Sequence, residues 1–92
     1  MIQSFRDKDS QALYEGASPR RFRSFAAVAE RKLAQLDAAQ TLDFLRAAPG
    51  NRLEALKGKR SGQYSIRIND QWRICFVWTH NGPAEVEIVD YH

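Results

Sequence analysis

The sequence predicts an α+β domain in which N-terminal helices pack on one face of an antiparallel β-sheet. Two patterns support this fold class. Apolar residues recur at intervals of three and four in the first half of the chain, and at every second position in the second half. The pattern changes after the Pro-Gly-Asn sequence at residues 49–51, which favours neither helix nor strand. The 92 residues suffice for a single domain, spanning residues 1–92.

The first elements are a short edge strand, a helical turn and a long helix. Residues 2–5 supply the apolar start of the edge strand. Ser10 can cap a helical turn that reaches Tyr14 and ends at Gly16. Pro19 then opens the most regular amphipathic helix of the chain. Its apolar face is predicted to consist of Phe22, Phe25, Ala26, Ala29, Leu33 and Leu36.

A third helix and a meander of strands follow. The helix is predicted over residues 41–47, because Leu42 and Leu45 share one side and Pro49 stops it. Strands are predicted over residues 53–57, 64–68, 72–78 and 86–91. Turn residues at 69–70 and 80–83 separate the last three, and the second turn contains His80. Alternation broken by Asn, Gly and Pro is typical of antiparallel hairpins.

Alternation also assigns the strand side chains to faces, because successive residues of a strand point to opposite sides of the sheet. The set expected to face the helices is Trp72, Ile74, Phe76 and Trp78. The set expected on the other face is Arg67, Arg73, Cys75, Val77, Val89 and Tyr91. The sheet should therefore present a basic and aromatic surface on the side away from the helices.

Composition excludes several classes of protein. A single cysteine rules out an internal disulfide framework and a Cys-rich zinc site. The sequence has no Gly-rich phosphate loop, HExxH or EF-hand pattern, so we expect no cofactor and no metal. It has no apolar run long enough to span a membrane and no signal-peptide pattern, so a cytoplasmic location is expected. The net charge is +3, which suits a polyanionic partner.

The basic charge is concentrated in residues 52–73, which carry six basic side chains against two acidic ones. Lys57, Lys59, Arg60 and Arg67 can contact phosphates, although charge alone favours solvated strand and loop side chains. Tyr64 and Tyr91 are candidates for stacking on nucleic-acid bases. Cys75 is expected to be a packed strand residue without catalytic activation.

Arg73 and the last three residues are the candidates for chemistry. Arg73 lies in the most hydrophobic strand, where a charge needs a partner: Asp90, Glu87 or a substrate phosphate. The chain ends with Asp90, Tyr91 and His92, which supply a carboxylate, a phenol and an imidazole. RNA cleavage by 2′-hydroxyl attack requires a base, a cation and an acid. Arg73 or Lys57 with this triplet can supply all three, whereas the alternative is a frayed strand end.

The run GNRLEALKGKRSGQYSIRINDQWRICFVW, followed by VEIVDYH at the terminus, resembles the HigB-type toxins of bacterial toxin–antitoxin systems, in the RelE/ParE superfamily. The resemblance covers nearly the whole chain and includes the stretch LxGxRxGQxSIRxNxQWRICFxW. It implies the RelE-like microbial RNase fold and ribosome-dependent cleavage of mRNA, with no metal or cofactor. It also implies neutralisation by a HigA-type helix-turn-helix antitoxin, in a complex that binds the operator DNA of its own operon.

The resemblance also implies site residues. The family's functional positions match Lys57, Arg73, Asp90, Tyr91 and His92. In that reading Arg73 and Lys57 stabilise the phosphate, and Tyr91 and His92 orient the RNA or exchange protons. Arg60 and Arg67 then help to hold rRNA or mRNA. Position 54 is Glu here, where some relatives carry His. A Glu54 side chain that points into the site would alter the acid–base assignment or weaken cleavage.

Three functions from different classes are compatible with these observations. The first is a ribosome-dependent endoribonuclease, or mRNA interferase, that inhibits translation and growth. The second is a non-enzymatic inhibitor of a host protein such as DNA gyrase, built on the same fold. The third is a nucleic-acid-binding accessory protein without toxicity. Growth arrest on expression of the chain alone distinguishes the third from the other two.

Overall fold

The computed structural model describes residues 1–91, so His92, one of the candidate site residues, lies outside the described residues. The helices are α1 (Lys8–Tyr14), α2 (Ala26–Ala38) and α3 (Leu42–Ala47). The strands are β1 (Glu54–Ala55), β2 (Gln63–Arg67), β3 (Trp72–Thr79) and β4 (Gly82–Asp90). There are also two short 3-10 helices. The first, Arg20–Phe25, directly precedes α2, and the second, Gly58–Arg60, leads into β2.

The strands form one antiparallel sheet in the order β1-β2-β3-β4, and the helical layer packs on one of its faces. The predicted α+β architecture is therefore confirmed. The hydrophobic core lies between the two layers. Its fully buried members are Leu13, Phe22, Ala29, Leu33, Leu36, Leu45, Ile66, Ile74, Phe76, Val86 and Ile88. Burial of this apolar surface is the main stabilising contribution to the fold.

The predicted assignment of β3 side chains to the helix-covered face is confirmed. The Trp72 ring packs against Phe22 and Phe25, with centroid distances of 5.8 and 5.0 Å. Trp78 packs edge-on against the buried Phe76 at 6.5 Å. These aromatic pairs add specific geometry to the area that they bury. Arg73 and Cys75 alternate with these inward-facing residues along β3, so they point to the other face of the sheet.

Two details of the helices differ from the predictions. Ser10 does not cap α1, because the carboxylate of Asp7 accepts the hydrogen bond from the Ser10 amide at 3.1 Å. Ser10 instead lies inside the helix, fully buried, and its Oγ accepts from the Ile88 amide at 2.9 Å. In addition, Phe22 and Phe25 belong to the 3-10 helix rather than to α2. Both helix types allow a three-residue spacing of apolar side chains, so the sequence pattern did not separate them.

The two outer strands are shorter than predicted. Residues 2–5 form only an isolated parallel bridge between Phe5 and Val86, although the amides of Gln3 and Arg6 also donate to β4 carbonyls. Regular pairing is interrupted at Glu85, which adopts a φ of 50° and donates its amide to Ser4 Oγ rather than to a backbone carbonyl. The strand predicted over residues 53–57 is reduced to β1. Arg52, two residues before β1, adopts a φ of 45°, so the extended backbone does not continue past it towards the N-terminus.

Asn51 joins the helical layer to the sheet. Its side chain is fully buried and donates from Nδ2 to Gln35 Oε1 at 2.9 Å and to the Leu45 carbonyl at 3.1 Å. Its Oδ1 accepts from Lys32 Nζ at 2.5 Å. Its backbone carbonyl accepts from the Arg67 amide at 2.7 Å. A buried polar group with all of these partners fixes the segment that leads into β1.

We expect Ser10→Ala to lower the free energy of unfolding by about 1–3 kcal/mol, because the buried Ile88 amide then loses its acceptor. Urea unfolding followed by circular dichroism measures the change. Ser24→Ala is the matched control, since Ser24 is exposed in the 3-10 helix and its loss should change little. Equal unfolding midpoints for the two variants would contradict the assigned role of Ser10.

Candidate functional site

Arg73 is a buried charge on the sheet face that points away from the helices. The residue is only 8% exposed. Its Nε donates to Ser65 Oγ at 2.7 Å, and its Nη2 donates to the Arg52 carbonyl at 2.6 Å and the Ser65 carbonyl at 3.3 Å. Nη2 also lies 3.2 Å from Glu54 Oε1 in an ion pair. The guanidinium is therefore held in one orientation by groups from β1, β2 and the segment between α3 and β1.

The carboxylate that pairs with Arg73 is Glu54, and neither Asp90 nor Glu87, which the sequence left open as alternatives to a substrate phosphate. Glu54 lies directly opposite Ser65 in the β1–β2 register, which brings its carboxylate to the same face. Glu87 is paired with Arg60, with Oε1 and Nη1 3.2 Å apart. The counter-charge of Arg73 thus comes from Glu54, a residue far from it along the chain.

Asp90 belongs to the other side of the sheet. It lies directly opposite Trp72, whose ring packs under the helices. Its Oδ2 accepts from Gln71 Nε2 at 2.9 Å. Because opposed residues share a face, the structure does not bring Asp90 to Arg73.

Tyr91 is brought to Arg73. The Arg73 Cζ lies 5.7 Å from the centroid of the Tyr91 ring, within the range of a cation–π contact. The ring remains 43% exposed. The Tyr91 amide donates to the Gln71 carbonyl at 2.7 Å, so the chain stays hydrogen-bonded to the sheet as far as this residue. One side of the buried guanidinium therefore carries an accessible aromatic ring.

Glu54 is the carboxylate that adjoins Arg73. Its side chain is 51% exposed, although its Oε1 contacts the guanidinium. A carboxylate that is both held by a cation and open to solvent can reach an incoming substrate and accept a proton from it. The arrangement thus combines a fixed cation, a half-exposed carboxylate and an accessible aromatic ring.

The remaining candidates lie at different distances from this centre. Arg67 is directly opposite Arg73 in the β2–β3 register and forms an ion pair with Asp70. Lys57 is exposed and directly precedes the second 3-10 helix. Tyr64 stacks on Phe76 at 6.2 Å on the helix-covered side, so it is a core contact. It does not line the surface that contains Arg73.

Arg60 crosses the sheet face beside Arg73. Its Nη1 donates to Gln63 Oε1 on β2 at 3.1 Å and to Glu87 Oε1 on β4 at 3.2 Å, so its side chain spans β3. Cys75 lies opposite Glu87 in the register and is fully buried. Burial raises the pKa of the Cys75 thiol, although the nearby Arg60 charge lowers it. This is a packed thiol, as predicted, rather than an activated nucleophile.

Some contributors to the site were missed by sequence reasoning. Ser65 and the Arg52 carbonyl both bind the Arg73 guanidinium, and neither was a candidate. The alternation of the β2 residues already places Ser65 on the same face as Arg67, so the position of Ser65 could have been found. The direction of the Arg52 carbonyl depends on a left-handed backbone conformation that no residue type at position 52 signals.

No group of His, Cys, Asp and Glu side chains within residues 1–91 is arranged to hold a metal ion. Among the helices of that described part, none has the length and apolar character needed to cross a membrane.

The chain resembles known proteins along its length. Residues 3–92 match a family model described as the RelE-like toxin of type II toxin–antitoxin system HigB. The chain is 40% identical to Toxin HigB-1 of Vibrio cholerae over 94 aligned residues, covering 100% of this chain and 98% of that protein. It is 39% identical over 54 residues to an uncharacterized protein of Haemophilus influenzae, covering 59% of this chain and 54% of that protein.

A solved structure shows the same fold. A chain of the YoeB-YefM complex from Staphylococcus aureus superposes with a TM-score of 0.62 and 19% identity. The superposition covers 100% of this chain and 98% of that one.

We expect Cys75 to resist alkylation by iodoacetamide in the folded protein and to react in urea, because the thiol is buried and its raised pKa keeps it protonated. The raised pKa also means that stability falls as pH rises above the ordinary thiol pKa, since only the unfolded state then loses the proton. Mass spectrometry of the labelled protein measures the modification.

The Ser24→Cys variant provides the control, because position 24 is exposed. It should gain a single label quickly under native conditions while Cys75 stays unmodified. Labelling of Cys75 at the same rate as this introduced thiol would show that the sheet face is open there.

Proposed function

The chain belongs to the HigB-like family of RelE-like toxins of type II toxin–antitoxin systems, and we propose that it is a ribosome-dependent endoribonuclease that cleaves translated mRNA. Toxins of this family are generally ribonucleases. The single observation that carries the proposal is the Arg73 guanidinium, which is buried, fixed in orientation and flanked by the accessible Glu54 carboxylate and Tyr91 ring.

Cleavage without a metal proceeds through the 2′-hydroxyl of the RNA. A base removes the hydroxyl proton, and the oxygen attacks the adjacent phosphorus. Negative charge accumulates on the phosphorane oxygens, and the P–O5′ bond breaks as an acid protonates the leaving oxygen. The products are a 2′,3′-cyclic phosphate and a 5′-hydroxyl end. The protein must therefore supply a base, charge stabilisation and an acid.

Arg73 is proposed to stabilise the phosphorane. Its Nε and Nη2 are already bound by Ser65 and the Arg52 carbonyl, so little reorganisation is needed when charge develops on the substrate. Its burial lowers the local dielectric and strengthens a charge-assisted hydrogen bond to phosphate. Lys57, exposed after β1, is proposed to add a second, mobile positive charge.

Glu54 is proposed as the general base. It is the carboxylate in contact with Arg73, and its exposure allows it to approach a 2′-hydroxyl next to a phosphate bound there. Tyr91 is proposed to stack on a base of the RNA and orient the strand. His92 follows it directly and is proposed to protonate the leaving oxygen, because imidazole exchanges protons near neutral pH. Asp90 has no role in the proposed chemistry, because it lies opposite Trp72 on the helix-covered side of the sheet.

The surroundings of Arg73 are proposed to hold RNA. Arg67 lies opposite Arg73 and pairs with the exposed Asp70, so phosphate can compete for its guanidinium. Lys59 and Arg60 extend the positive charge along the same face. The ribosome is proposed to position the mRNA, which converts weak intrinsic catalysis into rapid cleavage by orientation.

The partners follow from the same proposal. We propose a HigA-type antitoxin that neutralises the chain and carries it to operator DNA through a helix-turn-helix domain. The similar fold in the YoeB-YefM complex supports the formation of a complex by a protein of this shape. A cytoplasmic location is part of the proposal, because translated mRNA is the substrate.

Expression of the chain alone in a bacterium should arrest growth and create new mRNA 5′ ends confined to translated messages. The Arg73→Lys variant keeps the charge but loses the planar fork, so we expect at least about 100-fold less cleavage. Mapping of 5′ ends measures this, and thermal unfolding verifies that the variant is folded.

Arg46→Ala is the control, because Arg46 is an exposed arginine of α3 that pairs with Asp43. It should cleave like the wild type. Growth arrest without new 5′ ends would overturn the ribonuclease proposal and favour binding inhibition of a host protein, with gyrase the first to assay. Absence of arrest would favour the accessory-protein reading.

The role of Glu54 predicts opposite results for two substitutions. Glu54→Gln keeps the shape and removes the base, so single-turnover cleavage on purified ribosomes should slow by about 100- to 10,000-fold. Glu54→His restores a proton acceptor and should recover much of the rate, with a new pH dependence near the ordinary histidine pKa of about 6.5. A Glu54→Gln variant as fast as the wild type would eliminate Glu54 as the base.

A further inference from the structure

A second basic site lies on the same sheet face as Arg73. It is a shallow pocket of about 420 Å³, lined by Arg6, Lys59, Arg60, Gln63 and Glu87. Three cationic side chains and one carboxylate thus surround one depression. No step of the proposed cleavage chemistry uses this pocket.

Three separate parts of the chain build the pocket. Arg6 comes from the N-terminal segment beside β4. Its own amide donates to the Val86 carbonyl of β4 at 2.9 Å. Lys59 and Arg60 come from the 3-10 helix after β1, and Glu87 comes from β4. Because Phe5 packs against the core, the next residue in this extended segment, Arg6, points to the opposite face.

The cations of the pocket are not equally free. Arg60 is held by Gln63 and by Glu87 across β3, and its charge is balanced by that carboxylate. Arg6 and Lys59 are exposed and form no ion pair with any residue in the described range 1–91. The pocket therefore retains two positive charges that no described acidic side chain neutralises.

The pocket lies close to Arg73 on the same face of the sheet. Glu87 is directly opposite Cys75, which is two residues from Arg73 on the same face of β3. With strands about 4.8 Å apart and residues rising about 3.4 Å each, the backbone positions of Glu87 and Arg73 are about 8 Å apart. The buried Cys75 between them carries no counter-charge at neutral pH. Glu87 lines the pocket, so the pocket lies close enough to Arg73 for one polymer with regularly repeated charges to reach both.

We propose that this pocket is a phosphate-binding subsite that holds a backbone phosphate of the RNA strand next to the one held by Arg73. Arg6 and Lys59 contact this phosphate. Arg60 is a positioning residue that fastens the 3-10 helix to β4 through Glu87. The identity of the strand as RNA rests on the proposed function. A protein partner is disfavoured because the lining has no aromatic or aliphatic anchor.

The test measures binding rather than cleavage. The full chain is titrated into a fluorescent single-stranded deoxyoligonucleotide, which lacks the 2′-hydroxyl and stays intact, at several salt concentrations. Each lost phosphate contact should reduce the slope of log affinity against log salt by about 0.7. Arg6→Ala/Lys59→Ala removes both cations that contact the one phosphate of the subsite, so it should reduce the slope by about 0.7. Arg20→Ala/Arg46→Ala removes the same charge from the helical layer and should leave the slope unchanged.

A gain of affinity is expected from Glu87→Gln, because this change removes the one carboxylate of the pocket. Glu30→Gln is its control, with the same charge change on the exposed side of α2. A pocket that served only to pack Arg60 against Glu87 would lose stability in Glu87→Gln without binding the oligonucleotide more tightly.

The outcomes separate this inference from the proposed function. An unchanged slope in Arg6→Ala/Lys59→Ala, or no oligonucleotide binding by the wild type, overturns the subsite even where mRNA cleavage is observed. Competition by polyglutamate that depends equally on Arg6 and Lys59 also overturns it, in favour of an acidic protein partner. A reduced slope without any mRNA cleavage in cells supports the phosphate subsite and removes the ribonuclease proposal alone.

Discussion

The buried guanidinium of Arg73 is the constraint on which the functional face of this fold depends. A charge in a sheet costs several kcal/mol of desolvation unless hydrogen bonds and a counter-charge offset it. Here the offset comes from Ser65, the Arg52 carbonyl and Glu54. Each partner imposes a condition on the backbone. Glu54 must lie opposite Ser65, and Arg52, two residues before β1, must adopt a left-handed conformation. The backbone that leads into the sheet edge is therefore tied to the partners of one arginine.

The helical layer supports this site although it packs on the opposite face. Asn51 hydrogen-bonds to α2 through Gln35, to α3 through the Leu45 carbonyl and to β2 through the Arg67 amide. The next residue, Arg52, presents its carbonyl to the guanidinium. The orientation of that carbonyl thus depends on how the helices pack, and a loosened core would disturb the site without any change in its own residues. The two layers are linked by hydrogen bonds as well as by apolar burial.

Sequence periodicity was sufficient for the parts of the structure that depend on local geometry. Alternation placed Arg67, Arg73 and Tyr91 on one face, because strand pleating follows from the backbone alone. The same alternation places Asp90 on the face of Ile88, which lies in the core. The closeness of Asp90 and Tyr91 in the sequence had instead suggested that both belong to one site. Several of the unpredicted features are long-range. Ser10 reaches Ile88 and Glu54 reaches Arg73 only once separate elements have packed, and no residue type signals which partner is chosen.

The ion pair between Glu54 and Arg73 connects the resting protein to the proposed reaction. In the free protein the carboxylate balances the buried guanidinium, and this contact holds the site together. A phosphate that reaches the guanidinium supplies the same negative charge in its place. The carboxylate, which is half exposed, is then released beside the substrate as a free proton acceptor. Binding of the substrate would thereby generate the base, and the exchange of one anion for another avoids leaving the guanidinium unpaired at any stage.

Because phosphate must displace an existing partner, binding to the isolated protein should be weak. In the proposed reaction, an RNA strand held at additional points, by the neighbouring basic pocket and by the ribosome, would overcome this competition through its higher effective concentration.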